Sequence, residues 1–178
     1  MHIRALLPQD WEDVSAIIAG SAGPSTLDGE LPTWEQWDAR HLPGSRLVAA
    51  NREGRVTAWA ALEPVSERPA LAGVAAVSVF VDPTYRGQGF GRHLLANLIA
   101  ASEQAGLWTL QAYVAPQNTA AIHLLEELGF RKVGRRERFA KVDGVWHDAV
   151  LLERRTPAGS PAETLPPPAI AAAVPEAS

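Results

Sequence analysis

Apolar and polar residues alternate along this chain in two rhythms, one of two residues and one of three to four, and the rhythms change places repeatedly. His2 to Leu6 has the two-residue period of a strand, and Asp10 to Ala19 follows with helical spacing, opened after Pro8 and closed at Gly20. Thr33, a good N-cap, starts a second helix that runs to about His41. Leu47 to Ala50 and Val56 to Leu62 read as a hairpin turning at Asn51-Arg52-Glu53-Gly54, and Val74 to Val81 is the next strand. A long helix from about Gly89 to Ala105 places Leu94, Leu95, Leu98 and Ile99 on one face, the expected core face. Trp108 to Val114 is a strand, Asn118 to Leu128 a helix closed by Gly129, and two last strands flank Asp143-Gly144. Strands interleaved with helices predict a mixed α/β domain with helices packed around a central sheet.

Composition changes this picture only after Arg155. From Thr156 to Ser178 the chain is rich in Pro, Ala, Ser, Thr and Glu, including Pro166-Pro167-Pro168. Such a segment buries too little apolar surface to offset its ordering entropy. It reads as a disordered Pro/Ala-rich tail over 156–178 behind one domain over 1–155. A proline-rich ligand for a partner is the weaker alternative, because an isolated proline triplet is not a defined docking motif.

Charge and cysteine content narrow the chemistry. A net charge of −4 argues against a polyanionic partner, since nucleic-acid modules carry a basic excess. The chain has no cysteine, which excludes disulfides, thiolate metal sites and a cysteine nucleophile. Its five histidines, His2, His41, His93, His123 and His147, lack a zinc-binding spacing, so no metal is expected. The first residues lack the apolar run of a signal peptide, and Ala70 to Val81 is too short to span a bilayer. These features predict a cytoplasmic protein that binds neither nucleic acid nor membrane.

The densest motif joins the strand ending Val79-Phe80-Val81 to the long helix through Arg86-Gly87-Gln88-Gly89-Phe90-Gly91-Arg92. The first turn of a helix offers backbone N–H groups without intrahelical partners and the positive end of the helix dipole. Glycines at 87, 89 and 91 remove the side chains that would hold an anion away. No Lys-Ser/Thr pair follows, as a P-loop needs, and the spacing G-x-G-x-G is not that of a dinucleotide fold. A glycine-rich strand-to-helix turn with no ligand is the alternative.

Arg86, Gly89 and Gly91 fall on Arg/Gln-x-x-Gly-x-Gly, the acyl-CoA motif of the GNAT acetyltransferase superfamily, which the chain resembles from Ile3 to about Arg155. Thr33-Trp34-Glu35-Gln36-Trp37, Pro64-Val65-Ser66-Glu67-Arg68, Ala72-Gly73-Val74-Ala75, Trp108-Thr109-Leu110-Gln111-Ala112 and Gly144-Val145-Trp146-His147-Asp148 narrow the resemblance to the phosphinothricin acetyltransferase branch. That branch acetylates the amino group of small amino-acid analogues with acetyl-CoA as co-substrate. The resemblance implies that the strand edge at Val79, Phe80 and Val81 binds the pantetheine, with Val79 polarising the thioester carbonyl, and that Arg86, Gly87, Gln88, Gly89, Phe90, Gly91 and Arg92 hold the pyrophosphate. Asn118 matches the family asparagine near the thioester, and it is equally a good N-cap. Gly129 and Phe130 match too, with a helix stop and a core residue as sufficient reasons. A homodimer is also implied.

Departures from the family pattern concern the catalytic groups. Where the branch commonly has a glutamate that deprotonates the amine, this chain has Ala76, and seven residues after Asn118, where a histidine or tyrosine assists the leaving thiolate, it has Leu125. His123 lies two residues away, about 200 degrees around the helix, and reads as a surface histidine. Leu71 and Tyr113 likewise replace a tyrosine and a small residue of the branch. A general base contributes about 10²–10⁴-fold, whereas proximity can supply roughly 7–11 kcal/mol. Activity without the glutamate is therefore feasible, on amines of low pKa and with a rate that follows the amine's own titration. Tyr113, Asp28 and Glu63 are the candidate substitute groups, Tyr113 as catalytic and Asp28 as substrate-facing, with packing or solvation as the alternative for each. Of six tryptophans, Trp34, Trp37 and Trp59 fall where the resemblance puts the acceptor pocket, with core packing as the alternative. Trp11, Trp108 and Trp146 are assigned to packing. An acyl-CoA-binding module that has lost catalysis, and a protein N-acetyltransferase, stay as competing functions.

Overall fold

A computed structural model describes residues 1–21, 31–158 and 163–168. Among these, seven strands form one sheet in the order β1-β2-β3-β4-β5-β7-β6, with β1 His2–Ala5, β2 Arg46–Ala50, β3 Val56–Pro64, β4 Val74–Val81, β5 Thr109–Val114, β6 Arg131–Val142 and β7 Val145–Arg155. Every neighbouring pair is antiparallel except β4 with β5. The helices are α1 Trp11–Ser21, α2 Trp34–Arg40, α3 Phe90–Gln104 and α4 Thr119–Glu127. This is the expected mixed sheet flanked by helices.

Each sheet face has its own core because the strand residues alternate between faces. Leu94, Leu95, Leu98 and Ile99 of α3, with Ile122 and Leu125 of α4, pack on Ala58, Ala60 and Leu62 of β3 and on Leu110 and Ala112 of β5. Val14, Ile17 and Ile18 of α1 and Trp37 of α2 pack on Val48, Trp59 and Ala61 of the opposite face. The α2 start is a capping box: the Gln36 N–H donates to the Thr33 hydroxyl, and the Thr33 N–H donates to the Gln36 side chain. Gly20 does not stop α1, which continues to Ser21; one glycine costs a helix only about 1 kcal/mol. At the C-terminal side the boundary at Arg155 is not abrupt. Thr156 is buried, and both its N–H and its hydroxyl donate to the Trp108 carbonyl.

His41, which caps the end of α2, shows how the second core reacts to charge. Its ring stacks on Trp37 at 4.0 Å, its Nδ1 donates to the Trp37 carbonyl at 2.6 Å, and burial pushes its pKa down to about 4. The unfolded chain takes up this proton below about pH 6.5 and the folded one does not, so stability is unaffected above that pH and falls as the pH drops toward 4. We expect about 2 kcal/mol of loss between pH 7 and pH 5 from this group. Urea denaturation at both pH values should show that much less acid sensitivity in His41→Gln; equal sensitivity in the two proteins would remove the assignment.

Candidate active site

The parallel pair β4–β5 is the feature that makes room for a ligand. Its pairing is limited to Val74↔Thr109, Ala75↔Leu110 and Ala76↔Gln111. Beyond that point β4 stays with β3 as far as Val81, and β5 stays with β7 as far as Val114. The two strands therefore diverge, and from Val77 onward the β5-facing edge of β4 has no strand partner. Backbone donors and acceptors along such an edge are what a chain-like ligand with amide groups can pair with. Val79 and Val81 turn their side chains to the α3 core, whereas Phe80 turns to the opposite face and stacks on Trp59 at 4.9 Å.

The open end of this gap leads to the glycine turn. Asp82 caps a short 3-10 turn over Pro83–Tyr85, Arg86 is extended, and Gly89 is the N-cap of α3. Gly87 and Gly89 have φ of +74° and +83°, a region unfavourable to residues with a Cβ, and a Cβ on Gly87 would face open space. Gly91 serves packing instead: a Cβ there would lie 3.2 Å from Val81 Cγ2 and 3.5 Å from Leu124 Cδ2. The first intrahelical bond runs from the His93 N–H to the Gly89 carbonyl, so the N–H groups of Phe90, Gly91 and Arg92 begin the helix without an intrahelical acceptor. Phe90 buries its ring against Tyr85 and can contribute only its backbone to a ligand. Arg86 donates to the Val81 carbonyl and to Ser21, Gln88 donates to the Thr84 carbonyl, and Arg92 pairs with Glu127 of α4. These residues fit a pyrophosphate by backbone donors and cationic side chains. Asn118 is the N-cap of α4, accepting from the Ala121 N–H at 3.2 Å.

On the sheet face carrying α1 and α2, burial is uneven. Val48, Trp59 and Ala61 are buried, but Glu63, Ala76, Ser78, Gln111, Tyr113 and Glu153 on the same face are all half-buried. The two helices thus cover β2 and β3 and leave a polar strip over β4, β5 and β7, directly beside the gap. Register places Glu63, Ala76, Gln111, Glu153 and Arg131 in one lateral row across five strands. Glu153 is bound by Arg131 at 3.0 Å. The Tyr113 hydroxyl donates to Gln111 Oε1 at 3.1 Å, and its ring stacks on Phe139 at 4.8 Å. Arg136, which has no carboxylate partner among the described residues, lies 4.8 Å over the Phe139 ring and 5.9 Å from the Tyr113 ring.

The structure revises several expectations for individual residues. Trp37 and Trp59 are 1% and 3% exposed, so they are packed in the second core and do not line an open pocket. Trp34 is half-buried at its edge, stacked on Trp37 and edge-on to Trp11. Trp146 is not packed inside: it is 49% exposed, with Arg138 and Lys141 over its ring. Asp28 lies outside the described residues. His123 is exposed, its Nδ1 3.8 Å from Glu126, while Leu125 is core. The sequence does not point to Phe139 and Arg136, because only the pairing of β5 through β7 to β6 brings them to Tyr113, whereas Gln111 shares a face with Tyr113 through the two-residue period of β5 alone.

A diverging parallel pair, continued by a glycine turn into a helix start, is the architecture of the acyl-CoA N-acyltransferase fold. Residues 11–130 match the acetyltransferase (GNAT) family, and the chain belongs to that family. It is 31% identical over 160 residues to YwnH of Bacillus subtilis, a protein named for phosphinothricin acetylation, covering 86% of this chain and 98% of the relative. The L-amino acid N-acyltransferase MnaT of Escherichia coli is 28% identical over 66% of this chain and 68% of its own. A crystal structure of the ribosomal-protein-alanine N-acetyltransferase of Brucella melitensis superposes with a TM-score of 0.77 at 27% identity, covering 88% of this chain and 100% of that one.

Proposed function

We propose that this chain transfers the acetyl group of acetyl-CoA to the α-amino group of a small amino acid or amino-acid analogue, in the cytoplasm and as a homodimer. The observation that carries the reading is the position of the β4–β5 gap, between the glycine turn and the half-buried polar strip. In this reading the edge of β4 at Val79, Phe80 and Val81 holds the pantetheine amides, and Arg86 with the backbone from Gly87 to Arg92 holds the pyrophosphate. Asn118 faces the thioester end. The amine approaches from the polar strip and attacks the thioester directly. Arg136, cushioned on Phe139, suits the carboxylate of an amino acid, and an arginine fork binds carboxylates well. The exposed Val145 and Trp146 of the last hairpin suit a contact with a second copy.

Acetylation needs a neutral amine. At pH 7.4 roughly a quarter of a peptide's terminal α-amine is neutral, against about one part in a thousand of a lysine side chain, and the α-amine of a free amino acid lies between the two because its own carboxylate stabilises the ammonium. Thiol release from acetyl-CoA should therefore favour α-amines over lysine ε-amines at that pH. The absence of cysteine leaves no background with a thiol reagent. A preference for an alanine-led peptide over all free amino acids would move the assignment to protein N-termini, and acetyl-CoA binding without any turnover would leave a binding module. Light scattering of the same preparation should give a dimer, and a monomer removes that part of the proposal.

A further inference from the structure

We infer that Asp148 is a positioning residue for amino-acid recognition, clasping the bulge of β6 that carries Arg136 and Phe139 and so fixing the guanidinium that receives the substrate carboxylate. The inference rests on the acetyltransferase reading and deepens it at the acceptor side. Arg136 is opposite Ala149 and Ala140 is opposite His147, so the three residues Glu137, Arg138 and Phe139 face the single residue Asp148. Among the described residues β6 is an edge strand with β7 as its one strand neighbour, so the extra residues must be held from β7. Asp148 Oδ1 accepts from the Arg138 N–H at 2.8 Å, and its Oδ2 accepts from Nε and Nη2 of Arg135 at 2.8 and 2.5 Å. Arg138 has a φ of +51°, a region that a long side chain occupies only when its surroundings hold the backbone there.

What the bulge delivers lies on the other side of the strand. Residues of β7 alternate between faces, so Ala149 and Leu151 share the face of Tyr113 while Asp148 and Trp146 take the opposite one. Arg135 follows Asp148, and Arg136 follows Tyr113. The Phe139 ring stacks on Tyr113 at 4.8 Å, and the Arg136 guanidinium lies 4.8 Å over Phe139. Gly134, opposite Leu151 in the row of Tyr113, leaves room there: a Cβ on it would meet nothing within 4 Å. The other cations of β6 are engaged elsewhere, Arg131, Lys132 and Arg135 by carboxylates and Arg138 and Lys141 over the Trp146 ring. Arg136 is therefore the cation that this strand turns toward the polar strip, with a planar fork that suits a carboxylate. The Arg138 N–H and the Arg135 guanidinium hold the Asp148 carboxyl below the usual carboxylate range, so the clasp stays charged at any pH where the amine reacts.

A merely structural Asp148 would change stability without changing which acceptors are used, so selectivity is the readout. The ratio of kcat/KM for the α-amino acid that turns over fastest to that for its α-amide measures recognition of the carboxylate. Comparing this ratio between proteins cancels the difference in amine pKa. Arg136→Gln should lower the ratio by at least about tenfold. Asp148→Ala should lower it by about tenfold, through the KM of the amino acid, with a smaller change in kcat and an unchanged Kd for acetyl-CoA. Arg138→Gly in the Asp148→Ala background should recover at least about threefold, because glycine takes a φ of +51° without the clasp. A ratio kept in Asp148→Ala but lost in Arg136→Gln overturns the inference and leaves the acetyltransferase reading intact. A wild type indifferent to the carboxylate, or a ratio kept in both variants, removes Arg136 from the site and the clasp with it. An Asp148→Ala protein that unfolds or loses acetyl-CoA affinity, with no recovery from Arg138→Gly, makes Asp148 structural and overturns the inference too. Acetyl-CoA binding by the wild-type chain with no turnover on any amine overturns the reading itself, and this role with it.

Discussion

Gly73→Ala should destabilise the domain by about 3 kcal/mol, because one methyl group there fits only if the Trp108 ring or the backbone shifts. A Cβ at this position would lie 2.1 Å from Cε3 and 2.3 Å from Cδ2 and Cζ3 of Trp108, rigid ring atoms. Moving the backbone at Gly73 breaks the start of the β4–β5 pair, since its carbonyl accepts from the N–H groups of Trp108 (2.9 Å) and Thr109 (3.2 Å). Shifting the Trp108 backbone strains the other side, where its carbonyl accepts from the N–H and hydroxyl of Thr156. For a domain of this length the loss corresponds to roughly 10 °C in melting temperature. The strain falls at the closed end of the gap, so acetyl-CoA affinity should fall as well. Trp108→Val in the Gly73→Ala background should relieve most of the added cost, giving a coupling above about 1 kcal/mol in a double-mutant cycle. A Gly73→Ala protein that melts within 2 °C of the wild type would refute the contact.

How far the sequence could be read depended on whether an interaction was local. The Thr33 cap, the hairpin at Asn51 to Gly54 and the strand Val74–Val81 are each specified within a few residues and appear at the expected positions. The glycine turn was legible for the same reason, although Gly91 proved to answer Val81 and Leu124 across the packing interface. What stayed hidden depends on register between distant strands. β3 and β4 are joined through Val65 to Gly73, which has no tight-turn geometry to fix the pairing, so Glu63 and Ala76 could be recognised as opposite one another only in the fold. Arg136 and Phe139 reach Tyr113 past an irregularity in β6 between Arg136 and Ala140, where Arg138 has a φ of +51°. No periodicity reveals such a shift. The tryptophans misled in both directions because size marks a residue for packing or binding without saying which. Trp37 and Trp59 went into the core, and Trp146 stayed outside.

Gly89→Val should weaken acetyl-CoA binding by at least about 100-fold, more than any single side chain of the turn. At its φ of +83° a β-branched residue is strained by about 1–3 kcal/mol. Two responses are open to the protein, and both cost affinity. If the turn keeps its shape, the valine methyls extend toward His93, whose Nδ1 is already 3.4 Å from a Cβ at position 89, and into the approach of an anion. If the turn relaxes to negative φ, the N–H groups of Phe90, Gly91 and Arg92 no longer converge, and each lost hydrogen bond to a charged phosphate removes about 1.5–3 kcal/mol. Loss of one or two such bonds reaches about 3 kcal/mol, which is the stated 100-fold. Gly91→Ala separates the two roles of the glycines. It should act through the 3.2 Å contact with Val81, lowering the melting temperature while changing acetyl-CoA affinity less than tenfold. Isothermal titration with both variants decides the matter: full affinity in a folded Gly89→Val protein would show that the start of α3 does not hold the pyrophosphate.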